Sequence, residues 1–84
     1  MAGTITILYF GRLPDLLRRG SEELRLPPGV ADVRGLLAYL RRRGPTWERL
    51  LAEGAVRVTV NKEFAEPGTP VGDGDEVAIV SASL

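Results

Sequence analysis

Few side chains in this sequence could do chemistry on their own. The chain has no cysteine and no histidine, which excludes disulfides, thiolate nucleophiles and imidazole bases and removes the usual zinc ligands. Asp73, Asp75 and Glu76 lie around Gly72 and Gly74 and could coordinate a cation, but this pattern is more typical of a tight turn. The same segment precedes a strand and contains no lysine, so it does not fit a phosphate-binding loop.

A run of three arginines, Arg41 to Arg43, could contact phosphate or nucleic acid. No aromatic residue interleaves with the run, and the chain carries 11 basic and 11 acidic residues. A balanced charge creates no long-range field toward nucleic acid or an anionic membrane. The sequence therefore favours a solvated helix end at these arginines.

The length and composition indicate one small domain. The chain has 84 residues, of which 44% are hydrophobic and 26% charged, as in ordinary globular proteins. A domain of this size offers little room for a catalytic cavity, so an enzyme that works with its side chains is the least favoured class. The N-terminal segment lacks the basic stretch and long apolar core of a signal peptide, and no apolar run approaches the roughly 20 residues of a membrane span. We expect a cytoplasmic protein.

Alternating apolar residues predict four strands. The first is Thr4–Phe10, which is rich in β-branched and aromatic residues, and the second is 22–26. Val56–Val60 and 75–80 are the third and last. The dipeptide Asn61-Lys62 is typical of a hairpin tip.

One amphipathic helix is predicted between the two pairs of strands. In the segment 33–43, Val33, Leu36, Leu37 and Leu40 fall at i, i+3, i+4 and i+7. A short helix or turn at 13–19 and a second short helix at 47–53, after Thr46 as N-cap, are also expected. The two leucines of that second helix should point inward; they are Leu50 and Leu51.

The order of these elements predicts an α+β fold. A right-handed crossover through the main helix places the first and last strands side by side and parallel. The sheet should be mixed, with four to five strands and the main helix packed across one face. We expect a single domain over residues 1–84, with a C-terminal tail at 81–84.

This order, together with four short motifs, resembles the MoaD/ThiS family of sulfur carriers. The motifs are the strand end Tyr9-Phe10-Gly11, the Pro-Gly turn before the main helix, the strand end Val60-Asn61-Lys62, and Asp-Gly-Asp-Glu-Val at 73–77. The resemblance extends over nearly the whole chain and is greatest to the small subunit of molybdopterin synthase. It implies a ubiquitin-like β-grasp fold.

The resemblance also implies a carrier without a catalytic side chain, metal or bound cofactor. An adenylating, E1-like enzyme uses ATP to activate the C-terminal carboxylate of such a carrier, and sulfur then replaces the leaving group. The thiocarboxylate donates its sulfur inside the large subunit of molybdopterin synthase, in molybdenum cofactor biosynthesis. Two alternatives stay open: an interaction module that carries no sulfur, and a carrier for thiamine or cysteine synthesis.

The expected partner interface comprises Leu8, Phe10 and Val80. These residues alternate with the inward side chains of the first and last strands, so they should share the sheet face opposite the helix. An exposed apolar patch at that position would be an interaction surface. The alternative is that the short connecting segments, including Trp47, cover these side chains.

The expected carrier tail is Ser81, Ala82, Ser83 and Leu84. Family members end in Gly-Gly, and glycine suits a narrow channel because it has no Cβ atom and accepts many backbone conformations. The present sequence ends in Leu84 instead. Either the two glycines were removed by cloning or processing, or the natural chain never had them.

A polypeptide that ends at Leu84 is expected to bind the activating enzyme but to form little acyl-adenylate. The branched side chain lies on the residue whose carboxylate must react, and a displacement of about 1 Å can cost on the order of 100-fold in rate. Appending Gly-Gly should restore activation. ATP–pyrophosphate exchange on both versions checks this: strong exchange by the unextended chain would contradict the argument, and binding without exchange by either version would favour the interaction module.

Overall fold

A computed structural model describes residues 3–82. Eight elements follow one another along the chain: β1 Thr4–Phe10, α1 Leu13–Leu17, β2 Ser21–Arg25, α2 Val33–Arg41, α3 Pro45–Leu50, β3 Val56–Val60, β4 Glu63–Phe64 and β5 Glu76–Ser81. Among residues 3–82, no helix is long and apolar enough to cross a membrane.

The five strands form one mixed sheet in the order β2-β1-β5-β3-β4. β1 and β5 pair in parallel at the centre, from Thr6 opposite Glu76 to Phe10 opposite Val80. The other three pairings are antiparallel. The structure confirms the predicted α+β fold, the parallel pairing of the first and last strands, and the β-grasp arrangement.

The main helix begins at a side-chain cap. Asp32 has an extended backbone, and its carboxylate oxygen accepts a hydrogen bond from the amide of Gly35 at 2.8 Å. Such a cap satisfies one of the free amides of the first turn and stabilises a helix by about 1 kcal/mol. The helix ends at Arg41, two residues before the predicted end, because the chain must turn toward Gly44 and Pro45.

The apolar stripe of α2 packs on the sheet largely as predicted. Val33, Leu36 and Leu40 are buried against the inward side chains of β1 and β5. Leu37 is only partly buried and lies at the margin of this core. The fully buried side chains of the two central strands are Ile5, Ile7, Val77 and Ile79.

The connecting segments differ from the prediction in several places. The second short helix starts at Pro45 rather than after Thr46, since proline is well tolerated in a first helical turn. It ends at Leu50, which is half-buried, and only Leu51 is buried. The strand β4 was not singled out from the sequence, because two residues carry too little alternation to be seen.

The carboxylates in the turn before β5 accept hydrogen bonds from backbone amides of β1 and of the turn itself. Asp73 accepts a hydrogen bond from the amide of Thr4 at 2.9 Å, and Asp75 accepts one from the amide of Gly72 at 2.8 Å. Asp75 also accepts a hydrogen bond from the side chain of Asn61. Within residues 3–82, no cluster of acidic side chains is suited to hold a metal ion.

Truncations of two adjacent leucines should distinguish the buried stripe from its margin. We expect Leu36→Ala to lower the free energy of unfolding by about 2–5 kcal/mol, because a fully buried leucine leaves a cavity. Leu37→Ala should cost only about 1–2 kcal/mol, since part of that side chain already contacts water. Urea unfolding of both variants measures the difference, and equal losses would contradict this register of the helix.

Candidate partner-binding face and exit of the tail

One side of the central sheet carries an apolar surface that none of the helices within residues 3–82 covers. Leu8 lies directly opposite Ala78 in the β1–β5 pairing, and Phe10 lies directly opposite Val80. Phe10 is 47% exposed, and the other three side chains are half-buried. We call these four residues the apolar face. The structure therefore brings the three predicted interface residues together on one surface.

The alternative that Trp47 covers this surface is wrong. Trp47 lies on the opposite side of the sheet, where its ring meets the ring of Tyr9 edge-on with centroids 5.9 Å apart. Tyr9 points into the core because it alternates with Leu8 and Phe10 along β1. Phe10 is thus exposed while its neighbour is buried.

Sequence reasoning missed two further residues of this side of the sheet, Ala78 and Phe64. Phe64 pairs with Thr59, which in turn lies opposite Ala78, so all three belong to the same side. Phe64 is 85% exposed, which is unusual for an aromatic side chain. The tip Asn61-Lys62, with φ of 51° and 72°, fixes this register, and counting alternation outward from it would have located Phe64.

A charged side chain borders the apolar face. Arg57 on β3 lies directly opposite Val80 and is exposed. Apolar centres with charged margins are typical of protein interfaces, because the margin stays hydrated while the centre is desolvated. The arrangement supplies a docking surface rather than a reaction centre.

The C-terminal segment leaves the domain beside the apolar face. Ser81 is the last residue of β5 rather than the first residue of a free tail, and its hydroxyl accepts a hydrogen bond from the amide of Arg12 at 3.0 Å. Ala82 donates its amide to the carbonyl of Ala55 at 2.9 Å. Ser83 and Leu84, the other two residues of the predicted tail, lie outside the described residues.

Glycine is strongly favoured at the corner where the end of β1 meets the end of β5. Gly11 has φ of +71°, a conformation that side chains rarely adopt, and a Cβ atom at this position would collide with the hydroxyl of Ser81. The motif Tyr9-Phe10-Gly11 therefore has a direct structural meaning. It buries one aromatic ring, exposes the next and lets the backbone pass close to the end of β5.

A network of charged side chains lies at the end of β1, on the side of the sheet opposite the apolar face. Glu22 on β2 accepts two hydrogen bonds from Arg43, both at 2.8 Å, and one from the hydroxyl of Tyr9, also at 2.8 Å. Arg19 forms an ion pair with the same carboxylate at 3.2 Å. The guanidinium of Arg43 also stacks 4.7 Å from the ring centre of Trp47.

This network changes how Glu22 and Tyr9 titrate. Burial alone would raise the pKa of Glu22, but hydrogen bonds from Arg43 and Tyr9 and the charges of Arg43 and Arg19 outweigh it and hold that pKa below its usual value. Burial raises the pKa of the Tyr9 hydroxyl, and the hydrogen bond to Glu22 raises it further. The carboxylate is therefore charged and the phenol neutral at pH 7.

The three consecutive arginines do not behave as one unit. Arg43 is bound to Glu22, and Arg41 donates a hydrogen bond to the carbonyl of Leu51 at 2.9 Å. Only Arg42 is exposed without such a contact among the described residues. Arg42 and Arg43 are exposed, as expected for a solvated helix end, but Arg41 and Arg43 also bind partners from segments distant in the sequence, which the sequence pattern did not predict.

The sheet order, the crossing helix and the exit of the chain from the central strand define a ubiquitin-like β-grasp domain. The family model described as the ThiS family matches residues 7–83. The chain therefore belongs to the ThiS family, a family of ubiquitin-like sulfur carriers. No curated protein sequence matches the chain significantly.

Solved structures agree on the fold. A Pyrococcus furiosus protein described as molybdopterin converting factor subunit 1 is 24% identical, with a TM-score of 0.78, and the match covers 98% of this chain and 100% of that one. Small archaeal modifier protein 1 from Haloferax volcanii is 22% identical, with a TM-score of 0.78 and coverages of 96% and 99%. A Helicobacter pylori complex of subunits 1 and 2 of molybdopterin-converting factor contains a chain that is 16% identical, with a TM-score of 0.66 and coverages of 96% and 96%.

The charged network is expected to make stability depend on pH through Glu22. A carboxyl whose pKa is lowered by folding stabilises the native state above its unfolded-state pKa, and this contribution is lost as the pH falls through the folded-state pKa. Glu22→Gln should therefore lower the free energy of unfolding at pH 7 by about 1–3 kcal/mol, because it removes hydrogen bonds to a charged group. Below about pH 4 the difference from the parent chain should shrink.

Urea unfolding across this pH range measures the effect, with Glu23→Gln as the matched control. Glu23 is the next residue on β2, is exposed and points to the other side of the sheet, so its change should stay within about 0.5 kcal/mol. A Glu22→Gln loss of equal size at neutral and acid pH would mean that packing, not charge, accounts for the effect.

Proposed function

We propose that this chain acts as the sulfur-carrying small subunit in molybdopterin synthesis, although its sequence lacks the terminal Gly-Gly through which such a carrier is activated. The observation that carries the proposal is the position of the apolar face directly beside the point where the C-terminal segment leaves β5. A partner that covers Phe10 and Val80 also receives the chain that follows Ala82. Docking and delivery of the terminal carboxylate are then one event.

In this proposal the folded domain docks on the partner, and the residues after Ala82 extend to the partner's reaction site. Hydrogen bonds of Ser81 and Ala82 keep the chain against the domain up to its last described residue. Each further residue adds at most about 3.5 Å of extended chain. Adding Gly-Gly would therefore extend the reach by about 7 Å without adding a side chain, which suits entry into a narrow channel of a partner.

Two partners and one nucleotide follow from the proposal. An adenylating enzyme would use ATP to form the acyl-adenylate with release of pyrophosphate, and a sulfur donor would then displace AMP to leave the thiocarboxylate. The large subunit of molybdopterin synthase would bind the apolar face and accept the sulfur. The Helicobacter pylori complex of converting-factor subunits 1 and 2 supports this choice of partner. We expect these steps in the cytoplasm, with no cofactor bound to the carrier itself.

Reconstitution with purified components tests the pathway. The chain and its Gly-Gly-extended version are incubated with the activating enzyme, ATP and a sulfur donor, and intact mass is measured for replacement of one oxygen by sulfur. The sulfur-bearing protein is then mixed with the synthase large subunit, and molybdopterin formation is expected. Transfer only to the thiamine-pathway partner would reassign the carrier, and no sulfur-bearing form of either version would favour the interaction module.

A charge placed in the apolar face should separate docking from folding. Phe10→Glu is expected to weaken binding to the synthase large subunit by at least about tenfold, because aromatic side chains at the centre of an interface contribute strongly to affinity. The domain should stay folded, since the side chain is already 47% exposed. Calorimetric titration measures the affinity, and thermal unfolding confirms the fold.

Leu16→Glu is the matched control for this change. Leu16 is 43% exposed, close to the value for Phe10, but it lies on α1 and is not one of the four residues of the apolar face. Its substitution should leave the affinity unchanged. Equal binding by Phe10→Glu and the parent chain would remove the apolar face from the interface.

A further inference from the structure

A groove lies between the main helix and the outer edge of β3, and it is separate from the four residues of the apolar face. Its volume is about 710 Å³, and one wall is formed by α2 through Leu37 and Ala38. The facing wall includes Val56 on β3 and Pro67 beyond β4. Leu37 and Val56 are both only partly buried, so the groove is apolar at its base.

The edge of β3 presents backbone groups to this groove. The amide of Ala82 donates to the carbonyl of Ala55, and the amide of Asn61 donates to the carbonyl of Glu76. In an antiparallel pair the residues that bond to one neighbour alternate with those that point to the other side. Odd-numbered residues of β3 therefore bond to β5, and the amide and carbonyl of Val56 point outward.

The neighbouring strand is too short to cover this edge. β4 pairs only with Thr59 and Val60, and the next contact, from the amide of Ala65 to the carbonyl of Val58, ends the pairing. Within residues 3–82, no backbone group bonds to the outward amide or carbonyl of Val56. A donor and an acceptor are thus free beside an apolar groove, which is the arrangement that accepts an added strand.

Charge is distributed unevenly around the groove. Arg34 and Arg41 lie along the helix wall, Glu53 and Glu66 lie on the loops opposite, and Arg57 lies on the β3 wall. Arg34 is exposed and has no ion-pair partner among the described residues. A carboxylate on the helix side of a bound segment would be favoured by these two cations.

We propose that this groove binds a short extended segment of a partner protein as an added strand on β3. The segment would hydrogen-bond to Val56 through its backbone and place alternate apolar side chains between Leu37 and Val56. An acidic residue of the segment would face Arg34. The proposal does not depend on sulfur transfer, and none of the four residues of the apolar face lines the groove.

Selection from a library of random linear peptides displayed on phage tests the proposal. The full chain is the bait, and peptides that also bind the Ala38→Arg variant are removed. Ala38 is exposed and lines the groove, so the longer side chain blocks the groove without disturbing the core. Enriched peptides should alternate apolar residues and carry an acidic residue. Titrated into the nitrogen-15-labelled chain, they should shift the amide of Val56 and leave that of Phe10 unchanged.

Two variants and one control define the binding mode. Val56→Pro removes the outward donor at an edge where proline is tolerated, and it should weaken binding of a selected peptide about tenfold. Arg34→Glu should weaken binding of the same acidic peptide about tenfold. Arg49→Glu, an equal charge change at an exposed residue of α3, should not. Failure to enrich peptides, amide shifts confined to the apolar face, or binding by Val56→Pro equal to that of the parent chain would overturn the proposal. So would self-association through the groove in sedimentation experiments.

Discussion

The parallel pairing of β1 with β5 joins the two ends of the chain at the centre of the sheet. Ile7 lies opposite Val77 and Tyr9 opposite Ile79, and these side chains form the floor of the core under α2. The residues between them point the other way. One register therefore creates both the core and the apolar face, and a shift of one residue would exchange the two. The main helix α2 adds to this constraint. A parallel pair of strands needs a crossover connection, and this crossover covers only one face of the sheet.

The sequence predicted most of the fold because its strongest signals are local. The spacing of Val33, Leu36 and Leu40 and the alternation in β1 determine which side of each element is buried, and those residues are buried. Turn residues such as Asn61 located the hairpin correctly. Leu8, Phe10 and Val80 could be assigned to one surface by alternation and topology alone. What alternation could not supply was the depth of burial at the margin, where Leu37 is only partly covered.

Contacts between distant segments were not predictable from patterns. Arg43 looked like one of three equivalent arginines, yet Glu22, 21 positions away, binds it and Trp47 stacks against it. Phe64 escaped notice because its strand has two residues. The open edge at Val56 depends on how far β4 extends, which no periodicity encodes. For Arg43 and for the edge at Val56, the missing information was which partner the tertiary fold supplies.

The departure of the C-terminal segment from β5 has a mechanical consequence. β5 is bonded on one side to β1 in parallel and on the other side to β3 in the opposite direction. A pull on the end of the chain therefore acts along both rows of hydrogen bonds in shear, so many bonds bear the load together. Peeling an edge strand such as β2 would instead break its bonds one after another. The domain is accordingly built to resist traction applied to the end of β5.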